Sequence, residues 1–396
     1  MRPPHLSRTT RPALLPLLLA ALLLLLLSTP SAEAADPVSS CRLSGTTGWT
    51  DEGQNTDYNV FQRPTGTKRV IMLFVDFPDA AATETTSSDA AQLTPVADWM
   101  WKASYGKTWL SISRHNDWLR MPKNSTDYGY ERGLTHEEHE AYIKDAVNKA
   151  DPKVDFSQYD MVYVVATKNA QAISFTPTYV YAPGTTGIRA DGTTVKWAVT
   201  FGQDMWDFGP KVAAHETGHT FGLPDLYSFD SSSDIHRYIG GWDVMGNVSG
   251  KGPQFFAWHS WKLGWTADDQ VLCRATAGTD TVYLSAVEYT SYKKMAVIKT
   301  GANTAYVVES RRAVHNDENA CSTGALVYKV DTSVKTGEGP IRVMDAKPND
   351  VPKSGCHPLD DAPYWINQSF EDSNAGVKIE VTGADGYGET VRITKS

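Results

Sequence analysis

Residues 215–225 read His-Glu-Thr-Gly-His-Thr-Phe-Gly-Leu-Pro-Asp, and no other stretch constrains the chain as much. Positions four apart share one face of a helix, so His215 and His219 aim two imidazoles at one point. That is the geometry a zinc ion needs from its first two ligands. Glu216 lies beside them but off that face, placed to activate a water and take its proton. Val212, Ala213 and Ala214 suit a buried helix. Gly222 permits the left-handed turn that ends it, and Pro224 prevents it from resuming. The chain then doubles back and brings Asp225 in as a third ligand. Three protein ligands leave a fourth position open, the mark of a catalytic rather than a structural zinc site.

Other third ligands stay open at this point. His236 and His259 follow the motif, although neither has a turn-forming Gly that aims it back. One large class of H-E-x-x-H peptidases takes a Glu some tens of residues downstream. The first Glu after Glu216 is Glu288, in strand-like surroundings, which disfavours that class. His136 and His139 make a contrast. Thr135 with Glu138 forms a capping box, and Tyr142, Ile143, Ala146 and Val147 supply an apolar face. Both histidines are expected on the solvated side of that helix.

At 396 residues the chain has room for two domains and a substantial core. Arg2, Arg8 and Arg11 precede an apolar run from Ala13 to Leu27, and Ala32-Glu33-Ala34 fits a small-residue cleavage site. Residues 1–34 therefore read as a secretory signal peptide, and the mature chain as secreted and extracellular. No later stretch is apolar enough to span a bilayer. The formal charge is −9, and it becomes more negative once three Arg and one Glu leave with residues 1–34. An acidic chain argues against nucleic acid or an anionic membrane as its partner. We expect a monomer acting on proteins or peptides. Four cysteines remain, Cys41, Cys273, Cys321 and Cys356, an even count that reads as disulfides in an exported chain. Three pairings are possible. We favour Cys321–Cys356, with Cys41–Cys273 by elimination, over a free Cys41 thiolate that caps the metal as a latency switch.

Residues 35–66 are polar and look like a lead-in lying over the domain. Val70 to Val75 and Met161 to Val165 read as buried strands. Residues 80–92 read as a loop, Pro95 to Ala103 as a helix, Thr108 to Ile112 as a strand, 136–149 as the capped helix, and Val195 to Val199 as an edge strand. Strands alternating with helices imply a twisted α/β layer ahead of the active-site helix. Gly240 to Gly246 looks like a tight turn bearing one buried Met, and Gln254 to Leu263 like an aromatic-rich helix. From about residue 268 the runs are short strands separated by Gly, Asp and Thr, with no helix signal. The expected division is a signal peptide (1–34), a lead-in (35–66), an α/β catalytic domain (67–267) and a β-rich, sandwich-like domain (268–396).

The extended pattern H-E-x-x-H-x-x-G-x-x-D followed by Met245 resembles the metzincin group of zinc metallopeptidases. Within that group the chain looks most like the immune-inhibitor-A-type secreted bacterial metalloproteases. The likeness is carried by VIMLFVDFPD at 70–79, Ser104 to Lys107, HETGHTFGLPDLY at 215–227, GGWDVMG at 240–246, FFAWHSWKLGW at 255–265 and GALVYKVD at 324–331. It implies His215, His219 and Asp225 as zinc ligands, Glu216 as base and Met245 as an apolar floor under the metal. Some metzincins place a Tyr two residues after the Met to steady the oxyanion. Here that position is Asn247, which leaves the role unassigned. The expectation is a secreted zinc endopeptidase. Its rivals are an inactive, metal-stabilised binding or adhesion protein and a zinc hydrolase of non-peptide substrates. Acidic clusters such as Asp360-Asp361 offer calcium (Ca2+) ligands, although solvated loops are their commoner explanation.

Overall fold

The computed structural model describes residues 35–46 and 50–396; the expected signal peptide lies outside the described residues. In chain order the first region contains β1 (Gly66–Asp76), α1 (Thr86–Leu93), α2 (Val96–Ala103), β2 (Thr108–Arg120), α3 (His136–Ala150) and β3 (Met161–Ala166). It continues with β4 (Thr178–Val180), β5 (Ile188–Ala190), β6 (Thr193–Val195), β7 (Trp197–Phe201), α4 (Met205–Phe208), α5 (Pro210–Thr220) and α6 (Ala257–Lys262). Five strands form one sheet in the order β2-β1-β3-β7-β4. β1, β2, β3 and β7 run parallel, and β4 runs antiparallel to β7 at the edge.

Alternation along the strands explains the layering. Val70, Met72 and Phe74 of β1, with Met161, Tyr163 and Val165 of β3, face α2 and α5. Ile71, Leu73, Val75, Val162 and Val164 face α3, which meets them with Tyr142, Ile143, Ala146 and Val147. Both faces are covered, so the central strands read as continuous apolar runs.

After residue 268 the described chain has strands and short 3-10 turns only: β8 (Val271–Arg274), β9 (Gly278–Ser285), β10 (Met295–Lys299), β11 (Thr304–Arg311) and β12 (Gly324–Asp331). β13 (Ile341–Met344), β14 (Ser369–Asp372), β15 (Val377–Ala384) and β16 (Gly388–Lys395) complete it. They form a five-stranded sheet, β13-β12-β11-β10-β8, and a four-stranded one, β14-β15-β16-β9. Ala296, Ile298, Val308 and Val327 of the first meet Ile379, Val381, Val391 and Ile393 of the second. The opposite face of the five-stranded sheet, through Val297, Val307, Leu326 and Tyr328, joins the same core as α2, α5 and α6. The chain is thus mixed α/β with several sheets and a β-rich C-terminal region.

Several expectations need correcting. Residues 86–93 are a helix rather than a loop: Thr85 caps it by accepting from Ser88 N–H, and Ala90 and Leu93 bury its inner face. β7 is interior, between β3 and β4; the true edge is β4, whose three residues are too few to show alternation. The lead-in enters the core instead of lying over it, for Cys41, Leu43, Glu52 and Phe61 are all buried. His139 is buried as well. It continues the stripe of Tyr142, Ile143 and Ala146 by one turn, and its Nε2 lies 2.8 Å from Thr200 Oγ1. Burial there, with His136 adjacent, pushes its pKa down to about 3. His136 alone stays on the exposed side.

The cysteines pair as Cys41–Cys273 and Cys321–Cys356, and no free thiol is present among the described residues. That removes Cys41 as a latency switch. No described helix is long and apolar enough to cross a membrane.

Candidate metal and catalytic site

Helix α5 begins at Pro210 and delivers His215 and His219 on one face. It ends where Gly222 takes φ +90° and Leu223 N–H returns to Gly218 O (3.2 Å), the left-handed stop expected of that glycine. The reversed chain brings Asp225 against both histidines. His215 Nε2 and His219 Nε2 are 3.1 Å apart, and Asp225 Oδ1 lies 3.2 Å from the first and 3.1 Å from the second.

Which atoms carry hydrogen can be settled by the far side of each ring. His215 Nδ1 is 2.8 Å from Val244 O, and His219 Nδ1 is 2.8 Å from Leu223 O. Backbone carbonyls only accept, so each Nδ1 holds a hydrogen and each ring turns its Nε2 inward. Asp225 Oδ1 is buried and makes no hydrogen bond. Two Nε2 atoms and one carboxylate oxygen therefore converge on one point, an arrangement that calls for a cation or for protons shared between them. Charge bears this out. Burial drives both imidazoles toward neutrality, yet the Asp225 carboxylate reverses it, pushing His219 up to about 9 and His215 above its usual range. Against its own burial, the same two rings hold Asp225 below the ordinary carboxylate range.

Glu216 brings a carboxylate into the same cluster, with ligand-type atoms of His215, Glu216 and His219 all within 4.8 Å of one another. Its pKa is raised, because burial outweighs the two adjacent imidazoles. Thr178 Oγ1 on β4 lies 2.7 Å from both Glu216 Oε2 and Glu216 O, so its one hydrogen is shared between the carboxylate and the backbone carbonyl. The four residues line a cavity of about 560 Å³. Met245 lies fully buried beneath α5, and a methyl group on Gly218 would stand 2.7 Å from its Sδ. The helix can approach the Met only with glycine there.

The other candidates resolve separately. His236 stands on the cavity wall with Nδ1 2.8 Å from Gly246 O, but it is Asp225 that meets the pair. His259 is fully buried between Glu52 (3.0 Å) and Asp243 (2.8 Å), so neither ring nitrogen is left to bind a metal. Asp360 is no solvated loop residue: it accepts from Gly241 N–H (2.8 Å) and steadies the turn that carries Met245. Cys321 and Cys356 cluster with Asp360, yet both are spent in a disulfide.

Two groups escaped sequence reasoning. Thr178 sits in a strand too short to recognise. Tyr227 ends the recognised HETGHTFGLPDLY stretch, but nothing in its spacing marks a role. Its ring lies 6.2 Å from that of His215 and lines the cavity, and burial, with Asp225 and Glu216 nearby, raises its pKa despite Arg132. No protein-family model matches this chain, and no curated protein matches it.

Proposed function

We propose that the chain is a secreted zinc endopeptidase of metzincin-like build, with a sandwich-like C-terminal region. The observation that carries this reading is the triangle of His215 Nε2, His219 Nε2 and Asp225 Oδ1 beside the Glu216 carboxylate on an open cavity. Tetrahedral zinc, bound at about 2.0–2.2 Å, sets its donors roughly 3.3–3.6 Å apart, so these three need open by only a few tenths of an ångström. The three edges here are 3.1–3.2 Å. When bound, zinc polarises a scissile carbonyl and makes water a nucleophile near neutral pH.

The rest of the work falls to the chain. Glu216, hydrogen-bonded by Thr178, takes a proton from the attacking water and hands it to the leaving amine. Among the described strands β4 pairs only with β7, so its other side offers backbone groups to an extended peptide laid along the cavity. Tyr227, whose ring lines the cavity 6.2 Å from that of His215, donates its hydroxyl hydrogen to the substrate carbonyl oxygen as it gains charge. Two disulfides suit an exported chain.

Zinc content and azocasein hydrolysis, measured on the wild type and on Glu216→Gln, test the reading. Both proteins should hold zinc at full stoichiometry, while the variant loses roughly 10²–10⁴-fold in activity. An active Glu216→Gln protein sinks the peptidase assignment; a wild type that takes up no zinc sinks the metal assignment.

A further inference from the structure

The third ligand is held from the distant part of the chain. Asp225 has two backbone hydrogen-bonding groups, and both go to the loop between β12 and β13. Its N–H donates to Thr336 Oγ1 (2.9 Å), and its C=O accepts from Gly337 N–H (3.1 Å). Phe229 N–H then donates to Gly337 O (3.1 Å), which extends the contact into a short ladder. Asp331 N–H closes the base of the β12–β13 loop on Pro340 O (2.8 Å). β12 and β13 pair antiparallel, and Tyr328 and Val330 of β12 join the core that α5 occupies. The loop is therefore seated on rigid elements.

What makes this matter is the bareness of the ligand itself. A ligating carboxylate is ordinarily aimed by hydrogen bonds to its own oxygens. Asp225 Oδ1 meets only the Nε2 atoms of the two histidines that would share its metal, so no outer group aims it and its direction rests on how its backbone is fixed. We propose that Thr336 is a positioning residue for the third ligand, so that metal retention in the first region depends on a loop of the C-terminal region. The inference rests on the zinc reading above.

The experiment is chelator competition for zinc by the full mature chain, in the wild type, Thr336→Val, Thr336→Ser and Lys335→Ala. Thr336→Val keeps the volume and removes the hydroxyl, so zinc affinity should fall about 10–100-fold, the usual cost of losing an outer-shell partner. Thr336→Ser restores the hydroxyl and should restore the affinity. Lys335, the exposed neighbour, should be silent. Thr336→Ala, expected to lose affinity like the valine variant, stands in should Thr336→Val fail to fold by circular dichroism. A valine or alanine variant that binds zinc as tightly as the wild type overturns the inference, as does a serine variant as weak as valine. A wild type without zinc removes the Proposed function first and this inference with it, so the two failures are distinguishable.

Discussion

Two buried clusters in this protein are made of the same residue types and end differently. Around His259 both ring nitrogens are taken: Glu52 Oε1 meets Nε2, Asp243 Oδ2 meets Nδ1, and Asp243 Oδ1 takes Met245 N–H at 2.8 Å, while Glu52 Oε2 makes no hydrogen bond. Around His215 and His219 the outer nitrogens are equally satisfied, but the inner ones meet only each other (3.1 Å) and Asp225 Oδ1 (3.2 and 3.1 Å). A histidine taken on both sides by carboxylates holds the fold, whereas two histidines and a carboxylate that converge beside a cavity could hold a cation. The two are neighbours, for the turn that lends Asp243 to the first lends Met245 to the floor of the second.

The largest expected break comes from removing a carboxylate beside the cavity. Asp225→Ala takes away one of three proposed ligands, so zinc stoichiometry should drop toward zero and peptidase activity with it, while circular dichroism stays native-like. Excess zinc should recover part of the activity here and none in Glu216→Gln, since only the former fails at binding. Tight zinc and near-normal turnover in Asp225→Ala would move the third ligand elsewhere, with His236 the next residue to test.

The His259 cluster should fail in stability instead. His259→Ala leaves Glu52 and Asp243 facing each other without the intervening cation, with buried Lys262 the nearby positive charge. Breaking a buried pair in this way costs about 3–5 kcal/mol. Zinc per folded molecule should be unchanged. The pH dependence has a definite sign. Burial works against protonation, but Glu52 and Asp243 push the His259 pKa up to about 10, above its unfolded value near 6.5. Its contribution is fully present below that unfolded value and is lost as pH rises toward 10. Urea unfolding of wild type and variant should show the largest gap at pH 6 and a shrinking one on the alkaline side. A gap that stays constant from pH 6 to 10 would mean that the imidazole carries no charge in the fold.

How much of this was legible in the sequence follows the range of the interactions. His215, Glu216, His219 and Asp225 lie within eleven residues, and helix period plus Gly222 and Pro224 suffice to bring them together. The buried strands β1 and β3 announced themselves because both of their faces are covered. The His259 cluster joins residues 52, 243 and 259, and the hold on Asp225 comes from residues 336 and 337; no local pattern links such positions. His139 misled for a related reason: a histidine in a helix reads as polar until the Thr200 hydroxyl that satisfies it is in place. The helix at 86–93 was hidden by Ser and Thr, whose capping role at Thr85 outweighed their loop-like composition.

The smallest expected effect lies where the two clusters meet. Met245 shares its turn with Asp243 yet touches α5 with a sulfur that has no hydrogen to give and faces Gly218, between the two histidines in sequence. If its part is to fill space under the helix, a side chain of similar volume and polarity should serve. Met245→Leu should therefore cost less than about 1.5 kcal/mol and retain zinc. Gly218→Ala attacks the same contact from above and should cost more, about 1–3 kcal/mol, because overpacking displaces the helix carrying both histidines. Thermal melting with zinc titration separates the outcomes. Zinc loss in Met245→Leu without a change in melting would make the sulfur a participant in the metal site; equal costs for the two substitutions would mean that the turn, rather than the helix, yields to the strain.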